Sequence, residues 1–158
     1  MKKLSALLVL ILLQLNISYA QEKFSLYDVN ADPNKQLSDA KIKASAEHKN
    51  ILIQAGGNWC SWCRLFHKFS QENKKVDSIL NADFVVIHIN YSKENKNEKF
   101  FKEYKNPGRF GYPSFLVLND KGELLHIQDS GYLEEGKGYS EEKVTRFLLL
   151  WNKFSTSE

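Results

Sequence analysis

Residues 51–64 of the chain are Ile-Leu-Ile-Gln-Ala-Gly-Gly-Asn-Trp-Cys-Ser-Trp-Cys-Arg, and the expected architecture is built around them. The apolar run Ile51-Leu52-Ile53 predicts a buried strand, and Gly56-Gly57 ends it in a loop. The only two cysteines of the chain, Cys60 and Cys63, follow directly. If a helix begins at Cys60, its sulfur lies over unpaired backbone N–H groups and the positive end of the helix dipole, which stabilise a thiolate. Cys63 then lies one turn further along on the same side, so one sulfur can attack a disulfide and the other can resolve the product.

The N-terminus has the pattern of a signal peptide. Two lysines at positions 2 and 3 precede the apolar residues 4–17, and Ser18-Tyr19-Ala20 forms a small-x-small cleavage site. The apolar stretch, at about fourteen residues, is short for a membrane span. We expect cleavage after Ala20, with an uncleaved membrane anchor as the alternative. The mature chain is then exported, to the periplasm, without stable membrane insertion.

Size and charge limit the remaining classes of function. Residues 21–158 are enough for one domain with a single core. Residues 1–20 contain two lysines and no acid, so their removal lowers the formal net charge from +3 to +1, and no nucleic-acid partner is indicated. Residues 21–35 are polar with isolated aromatics and are predicted to be a loosely packed lead-in segment, and residues 36–158 form the domain.

Export places the two cysteines in an oxidising compartment, where a pair usually forms a disulfide. A bridge across two residues closes a very small loop and removes little unfolded-state entropy, so a redox centre is favoured over a structural bridge. Zinc is the chemical alternative, because Cys60, Cys63 and His67 are possible ligands, but a fourth ligand is missing. We therefore expect neither a metal nor a cofactor.

Apolar periodicity predicts alternating strands and helices along the chain. Asp32-Pro33-Asn34 is interpreted as a turn, and Ser38 as the cap of the first helix. The expected elements are a helix over 38–49, a strand over 51–54, a helix over 60–73, a strand over 84–89, a helix over 93–104, a proline-led hairpin with strands at 114–118 and 123–128, and a helix over 140–154.

This order of elements resembles the thioredoxin superfamily across residues 36–154. Two motifs carry the resemblance. Trp59-Cys60-Ser61-Trp62-Cys63 is similar to the Trp-Cys-x-x-Cys motif of the family, and Gly111-Tyr112-Pro113, placed before an apolar strand, is similar to its cis-proline loop. The resemblance implies an α/β thioredoxin fold with a central mixed β-sheet flanked by helices.

The resemblance also implies roles for individual residues. Cys60 is the attacking thiolate and Cys63 the buried resolving thiol. Pro113 is a cis-proline that faces the pair, and Tyr112 beside it offers its backbone to an extended peptide. Trp59 shapes the peptide groove or, alternatively, only packs over the turn.

Two departures from the family pattern affect the chemistry. The residues between the cysteines are Ser61-Trp62 instead of Gly-Pro, and Gln54 stands where thioredoxins carry a buried acid. A glutamine cannot shuttle a proton, so deprotonation of Cys63 depends on water or on a neighbouring side chain such as His88. His88 is otherwise interpreted as a core or sheet-face residue and His67 as a solvated one.

Three residues next to the cysteines are expected to modulate the pair. A hydrogen bond from Ser61 and the charge of Arg64 lower the pKa of Cys60, whereas shielding by Trp62 opposes them.

The pattern predicts an exported thiol-disulfide oxidoreductase. The Trp-Cys-x-Trp-Cys form is similar to exported bacterial reductases and isomerases, and the histidine typical of the strongest oxidants is absent between the cysteines. The expected partners are exported substrate proteins with disulfides and a membrane redox protein. The alternative is a non-catalytic thioredoxin-like binding or chaperone module with a vestigial cysteine pair.

Overall fold

The computed structural model describes residues 25–156, so the predicted signal peptide at 1–20 lies outside the described residues. In chain order the elements are α1 (Pro33–Glu47), β1 (Asn50–Gly56), α2 (Ser61–Glu72), α3 (Lys74–Asp83), β2 (Phe84–Asn90), α4 (Glu98–Glu103), β3 (Ser114–Leu118), β4 (Leu124–Asp129), β5 (Glu134–Glu135), β6 (Gly138–Tyr139), α5 (Glu141–Leu150) and α6 (Lys153–Thr156), with 3₁₀ turns at Pro107–Phe110 and Ser130–Leu133.

A four-stranded mixed sheet in the order β2-β1-β3-β4 forms the centre of the molecule. Strand β1 pairs in parallel with β2, which places Gln54 beside His88, and antiparallel with β3, which places Ala55 beside Ser114. Strands β3 and β4 form the predicted hairpin, and β5 and β6 form a separate two-stranded ribbon. The predicted α/β class, with a mixed sheet flanked by helices, is confirmed.

Helices cover both faces of the sheet, because side chains alternate between the two faces along each strand. One core contains the inward residues of α1 and α4 together with Ile51, Ile53 and Leu116. The other core joins Leu52 and Phe115 to residues of α2, α3 and α5. Strand β1 is buried along its whole length, so it holds the following cysteine turn on a rigid base.

The first helix begins earlier than the sequence predicted. Asp32 is its N-cap, with a carboxylate oxygen that accepts the N–H of Asn34 at 2.8 Å, and Pro33 occupies the first turn. The prediction of a turn at 32–34 and a cap at Ser38 is wrong, because an aspartate and a proline that open a helix look the same in sequence as a turn.

Residues 73–104 also differ from the prediction. Asn73 ends α2 and caps a further helix, α3, by accepting the N–H of Val76 on its side-chain oxygen at 3.0 Å. The helix predicted at 93–104 is confined to Glu98–Glu103, because Asn90 and Asn95 hold the preceding residues in a loop, with Asn90 donating to the Asn95 carbonyl at 2.7 Å.

The N-terminal segment is not loosely packed, at least over its described residues 25–35. Tyr27 is only 1% exposed and packs with Cys60 and Cys63 in a small core at the end of β1. No helix within residues 25–156 has both the length and the apolar character that a membrane crossing requires.

Candidate active site

The two cysteines lie at the start of α2, as the sequence predicted. Cys60 is the N-cap residue, and its sulfur accepts the N–H of Cys63 at 3.1 Å. The two side chains form a disulfide with a Cα–Cα distance of 5.2 Å. Cys60 is 4% exposed and Cys63 is fully buried, so Cys60 is the sulfur nearer to solvent.

This position suits the chemistry of a reactive thiolate. A sulfur at an N-cap faces backbone N–H groups that have no partner within the helix, and the dipole of α2 adds positive potential there. Both effects favour the negatively charged form of Cys60 when the disulfide is reduced. The Gln54 side chain donates to the Cys63 carbonyl at 3.2 Å and fixes the first turn of α2 on β1.

Three aromatic side chains form an aromatic surface beside the disulfide, defined here as Trp59, Tyr91 and Tyr112. Trp59 is 56% exposed, and its Nε1 donates to the carbonyl of Tyr91 at 2.7 Å. Tyr112 packs edge-to-face on Trp59 with ring centroids 5.8 Å apart, and it stacks on Tyr91 at 4.9 Å. Tyr112 also packs against the core that contains both cysteines.

Pro113 is buried directly before β3, and the Tyr112–Pro113 peptide bond is cis. Ser114 pairs with Ala55, near the end of β1 that leads into the cysteine turn. Tyr112 and Pro113 directly precede Ser114, so they lie at this end of the sheet. Burial raises the pKa of the Tyr112 phenol well above its ordinary value, with Tyr91 adding to the effect. The structure therefore brings Trp59 and Tyr112 into contact beside the cysteines and places Pro113 at the same end of the sheet.

The predicted modulating residues surround the cysteines in different ways. Ser61 is the first residue of α2 and is exposed. Trp62 is half-buried, and its ring packs edge-to-face on Tyr139 at 5.6 Å. Arg64 is exposed, and its guanidinium donates to the carbonyl of Asn58 at 2.7 Å, which ties α2 to the turn before it. Their effect on the pKa of Cys60 stays a prediction.

Sequence reasoning missed two residues at this site, Asn58 and Tyr27. The Asn58 side chain hydrogen-bonds to the backbone of both Leu26 and Tyr27, and this holds the N-terminal segment against the cysteine turn. Asn58 directly precedes the Trp59–Cys63 motif, so its position next to the cysteines was visible in the sequence. Tyr27 gave only a weak signal, an isolated aromatic residue in a polar stretch, because its contacts lie far away in sequence.

Two histidines extend from this core toward solvent. His88 packs edge-to-face on the ring of Tyr27, with centroids 5.6 Å apart, and on His67 at 6.2 Å. Burial, and secondly the neighbouring His67, lower the pKa of His88 to about 4. Burial also lowers the pKa of His67, which is half-buried and not fully solvated as predicted. His88 is consequently neutral at neutral pH.

The described residues, 25–156, contain no group of three or more His, Cys, Asp or Glu side chains placed to hold a metal ion.

Solved structures of other proteins share this fold. The disulphide isomerase from Xylella fastidiosa Temecula1 is similar, with 27% identity and a TM-score of 0.69 over 80% of this chain and 95% of that one. The oxidised C-terminal domain of Neisseria meningitidis DsbD, at 16% identity, has a TM-score of 0.55 over 77% of this chain and 97% of that chain, which shows the shared thioredoxin fold alone.

Curated relatives match smaller parts of much longer proteins. The Caenorhabditis elegans uncharacterized protein B0495.5 is 30% identical over 82 residues, which are 51% of this chain and 11% of that protein. The thiol:disulfide interchange protein DsbD of Actinobacillus pleuropneumoniae is 24% identical over 103 residues, 63% of this chain and 17% of that protein. The chain thus spans about a tenth of the first of these relatives and about a sixth of the second.

The family model described as Thioredox_DsbH, protein of unknown function, DUF255, matches residues 29–152. This range contains the cysteine turn, the aromatic surface and every strand of the central sheet. The chain belongs to this thioredoxin-like DsbH/DUF255 family.

Proposed function

We propose that the chain is an exported thiol-disulfide oxidoreductase that reduces or isomerises protein disulfides through Cys60 and Cys63. The observation that carries the proposal is the position of Cys60, an N-cap sulfur beside an exposed aromatic surface, with its partner cysteine buried behind it. The likeness to a disulphide isomerase at 27% identity supports the same class of reaction.

The reduced pair would act in two exchange steps. The Cys60 thiolate attacks one sulfur of a substrate disulfide, the substrate S–S bond breaks, and the released substrate thiolate takes up a proton. Cys63 then loses its proton and attacks the Cys60 sulfur, which forms the Cys60–Cys63 disulfide and releases the second substrate thiolate. Two electrons pass from the pair to the substrate. In isomerisation a substrate thiol displaces Cys60 instead, with no net transfer of electrons.

The aromatic surface is the proposed contact for the substrate. The exposed ring of Trp59 offers apolar area to a substrate segment. Tyr112 and Pro113 lie at the end of the sheet where β1 leads into the cysteine turn. The substrate segment is then an extended peptide that meets the backbone of Tyr112 beside Pro113, as the resemblance to the thioredoxin superfamily implies. Because Cys63 is fully buried, the substrate sulfur meets Cys60 first.

The proposed location is the periplasm, based on the signal-peptide pattern of residues 1–20. The substrates are exported proteins that contain disulfides. Each turnover as a reductase leaves the Cys60–Cys63 pair oxidised, so a redox protein in the membrane must return two electrons to it.

A trapping experiment tests the exchange reaction. Replacing the resolving residue, Cys63→Ser, leaves Cys60 able to attack but unable to be released by its partner, so mixed disulfides with substrates accumulate and are detected by non-reducing electrophoresis. Cys60→Ser is the matched control and should trap nothing. If neither variant traps a protein and neither changes reductase activity, the chain is a non-catalytic binding module.

The direction of electron flow is tested by the reduction potential. Mature protein is equilibrated in glutathione buffers of known ratio, and its free thiols are counted. A potential near about −270 mV is expected for a reductase and one near about −180 mV for an isomerase, whereas about −120 mV belongs to a strong oxidant and would overturn the assignment.

A further inference from the structure

The hydroxyl of Tyr27 is buried, and its proton has no hydrogen-bond acceptor among the described residues. Tyr27 is only 1% exposed, so its hydroxyl is shielded from bulk solvent. A buried hydroxyl proton that lacks an acceptor destabilises the fold.

The Tyr27 hydroxyl and the Cys63 sulfur both lie close to Gly56. A Cβ atom added to Gly56 would be 2.5 Å from the Cys63 sulfur and 2.8 Å from the Tyr27 oxygen, so both atoms lie against the same side of the glycine. Tyr27, Cys60 and Cys63 form one buried core. The position of Tyr27 is also fixed, because the Asn58 side chain bonds to its N–H at 3.0 Å and to its carbonyl at 2.8 Å.

The groups that face Tyr27 leave its hydroxyl as a donor. Burial raises the pKa of Tyr27 far above its ordinary range, a hydrogen bond from the Gln54 side chain to the phenol oxygen opposes this rise, and Tyr139 adds to it. His88 contacts the ring of Tyr27 and is neutral at neutral pH, and His67 lies beyond it. The hydroxyl therefore stays protonated and can donate one hydrogen bond.

Reduction of the disulfide changes what the hydroxyl can bond to. A disulfide sulfur is a weak acceptor, whereas a thiolate is negatively charged and accepts a charge-assisted hydrogen bond, which is much stronger. Cys63 is fully buried, and burial alone disfavours its thiolate. Gln54, the polar side chain that donates to the Cys63 carbonyl, does not titrate and so cannot take up the Cys63 proton. The thiolate of Cys63 needs a donor, and the Tyr27 hydroxyl needs an acceptor.

We propose that Tyr27 is a positioning residue for the resolving step, in which its hydroxyl donates a hydrogen bond to the Cys63 sulfur as that sulfur becomes a thiolate. The inference rests on the proposed exchange function. The proton of Cys63 passes to water or to a buffer base, and Tyr27 neither gains nor loses one. The thiolate then attacks the Cys60 sulfur, the bond from Cys60 to the substrate breaks, the Cys60–Cys63 bond forms, and the substrate leaves as a thiolate.

Reaction with Ellman's reagent, an aromatic disulfide, separates the two steps. Attack by Cys60 on the reagent releases one coloured thionitrobenzoate, and attack by Cys63 on the resulting mixed disulfide releases a second. Stopped-flow absorbance across a pH series therefore reports each cysteine in turn. In Tyr27→Phe, which removes only the hydroxyl, we expect a first phase within about twofold of the wild-type rate. The second phase should be about tenfold slower at pH 7, with its pH midpoint about one unit higher, since a tenfold smaller thiolate fraction corresponds to one pKa unit.

The matched control is Tyr132→Phe, because Tyr132 is 77% exposed, and both phases should keep wild-type rates. A second phase unchanged in Tyr27→Phe would overturn the inference and leave the proposed function intact. A wild-type protein without a first phase would overturn the proposed function, and the inference with it.

Wild-type protein provides a second measurement in case Tyr27→Phe does not fold. The inference predicts a second-phase midpoint at or below the ordinary thiol pKa of about 8.5, in spite of burial. A midpoint well above that value would mean that burial acts unopposed, and this would overturn the inference.

Discussion

The side chain of Asn58 hydrogen-bonds to both backbone polar groups of Tyr27. Its Oδ1 accepts the Tyr27 N–H at 3.0 Å, and its Nδ2 donates to the Tyr27 carbonyl at 2.8 Å. The same Oδ1 accepts the N–H of Leu26 at 2.9 Å. Because Asn58 stands two residues before Cys60, the N-terminal segment and the cysteine turn form one structural unit.

Asn58→Ala should therefore lower the stability of the domain. The change removes three hydrogen bonds between the side chain and the backbone, each with a net value of about 1 kcal/mol, so the free energy of unfolding should fall by about 2 to 3 kcal/mol. Urea denaturation of the oxidised protein measures the change. Asn81→Ala is the control, since Asn81 is exposed and its side chain bonds only to Asp77 one helical turn away, and it should alter the value by about 0.5 kcal/mol or less. If the two substitutions lower the free energy of unfolding equally, the Asn58 side chain does not hold the N-terminal segment on the cysteine turn.

Local patterns in the sequence predicted the elements that carry the cysteines. Strands β1, β2 and β3 were recognisable as apolar runs, and the N-cap position of Cys60 followed from a strand that leads into a Cys-x-x-Cys turn. Such features depend on neighbouring residues, so one sequence is enough to find them.

The rest of the site depends on contacts between distant residues. Tyr27 reaches the cysteine core through Asn58, which lies 31 positions later in the chain, and no local pattern marks that pairing. The start of α1 at Pro33 was missed for a different reason. Asp32-Pro33 opens a helix here but looks like a turn in sequence, and only the buried residues Leu37, Ala40 and Ala44 show which face packs inward.

Trp59→Ala should weaken reaction with protein substrates more than reaction with small disulfides. Trp59 supplies an exposed apolar face, so its loss should lower kcat/KM for a protein disulfide about tenfold, mainly through KM, while the reaction of Cys60 with Ellman's reagent changes by about twofold or less. Phe154→Ala removes an aromatic ring that is 90% exposed and lies outside the aromatic surface, and it is the control. If both substrates lose activity equally, Trp59 acts on the cysteine turn itself and not on substrate binding.

The depressed pKa of His88 predicts a loss of stability in acid. The folded-state value is about 4 and the ordinary value is 6.5, so the unfolded chain takes up a proton first as the pH falls. The contribution of His88 is complete above about pH 6.5 and is lost as the pH falls toward 4, by roughly 2 to 3 kcal/mol.

This pH dependence is checked by comparing wild type with His88→Gln in urea at pH 7, 5 and 4. Glutamine keeps a polar side chain but does not titrate, so the wild-type free energy of unfolding should fall more steeply than that of the variant. His67, which faces His88, remains in both proteins, and Tyr27 does not titrate in this range. The control is His48→Asn, which changes an exposed histidine with φ of 55° to a residue that tolerates this conformation. Parallel wild-type and His88→Gln profiles would show that His88 is not the group responsible.

Gly56→Ala tests the close approach of the backbone to the cysteine core. The added methyl group would lie 2.5 Å from the Cys63 sulfur and 2.8 Å from the Tyr27 oxygen, far inside van der Waals contact, and both atoms belong to the same buried core. Overpacking of this kind should lower the free energy of unfolding by about 1 to 3 kcal/mol. It should also slow the second Ellman phase, because the methyl group separates the hydroxyl from the sulfur.

Gly138→Ala is the matched control, since a Cβ there meets no atom within 4 Å, and it should leave both measurements near wild type. If Gly56→Ala matches Gly138→Ala in free energy of unfolding and in the rate of the second Ellman phase, Tyr27 and Cys63 can move apart freely. That result would remove the basis for their proposed hydrogen bond.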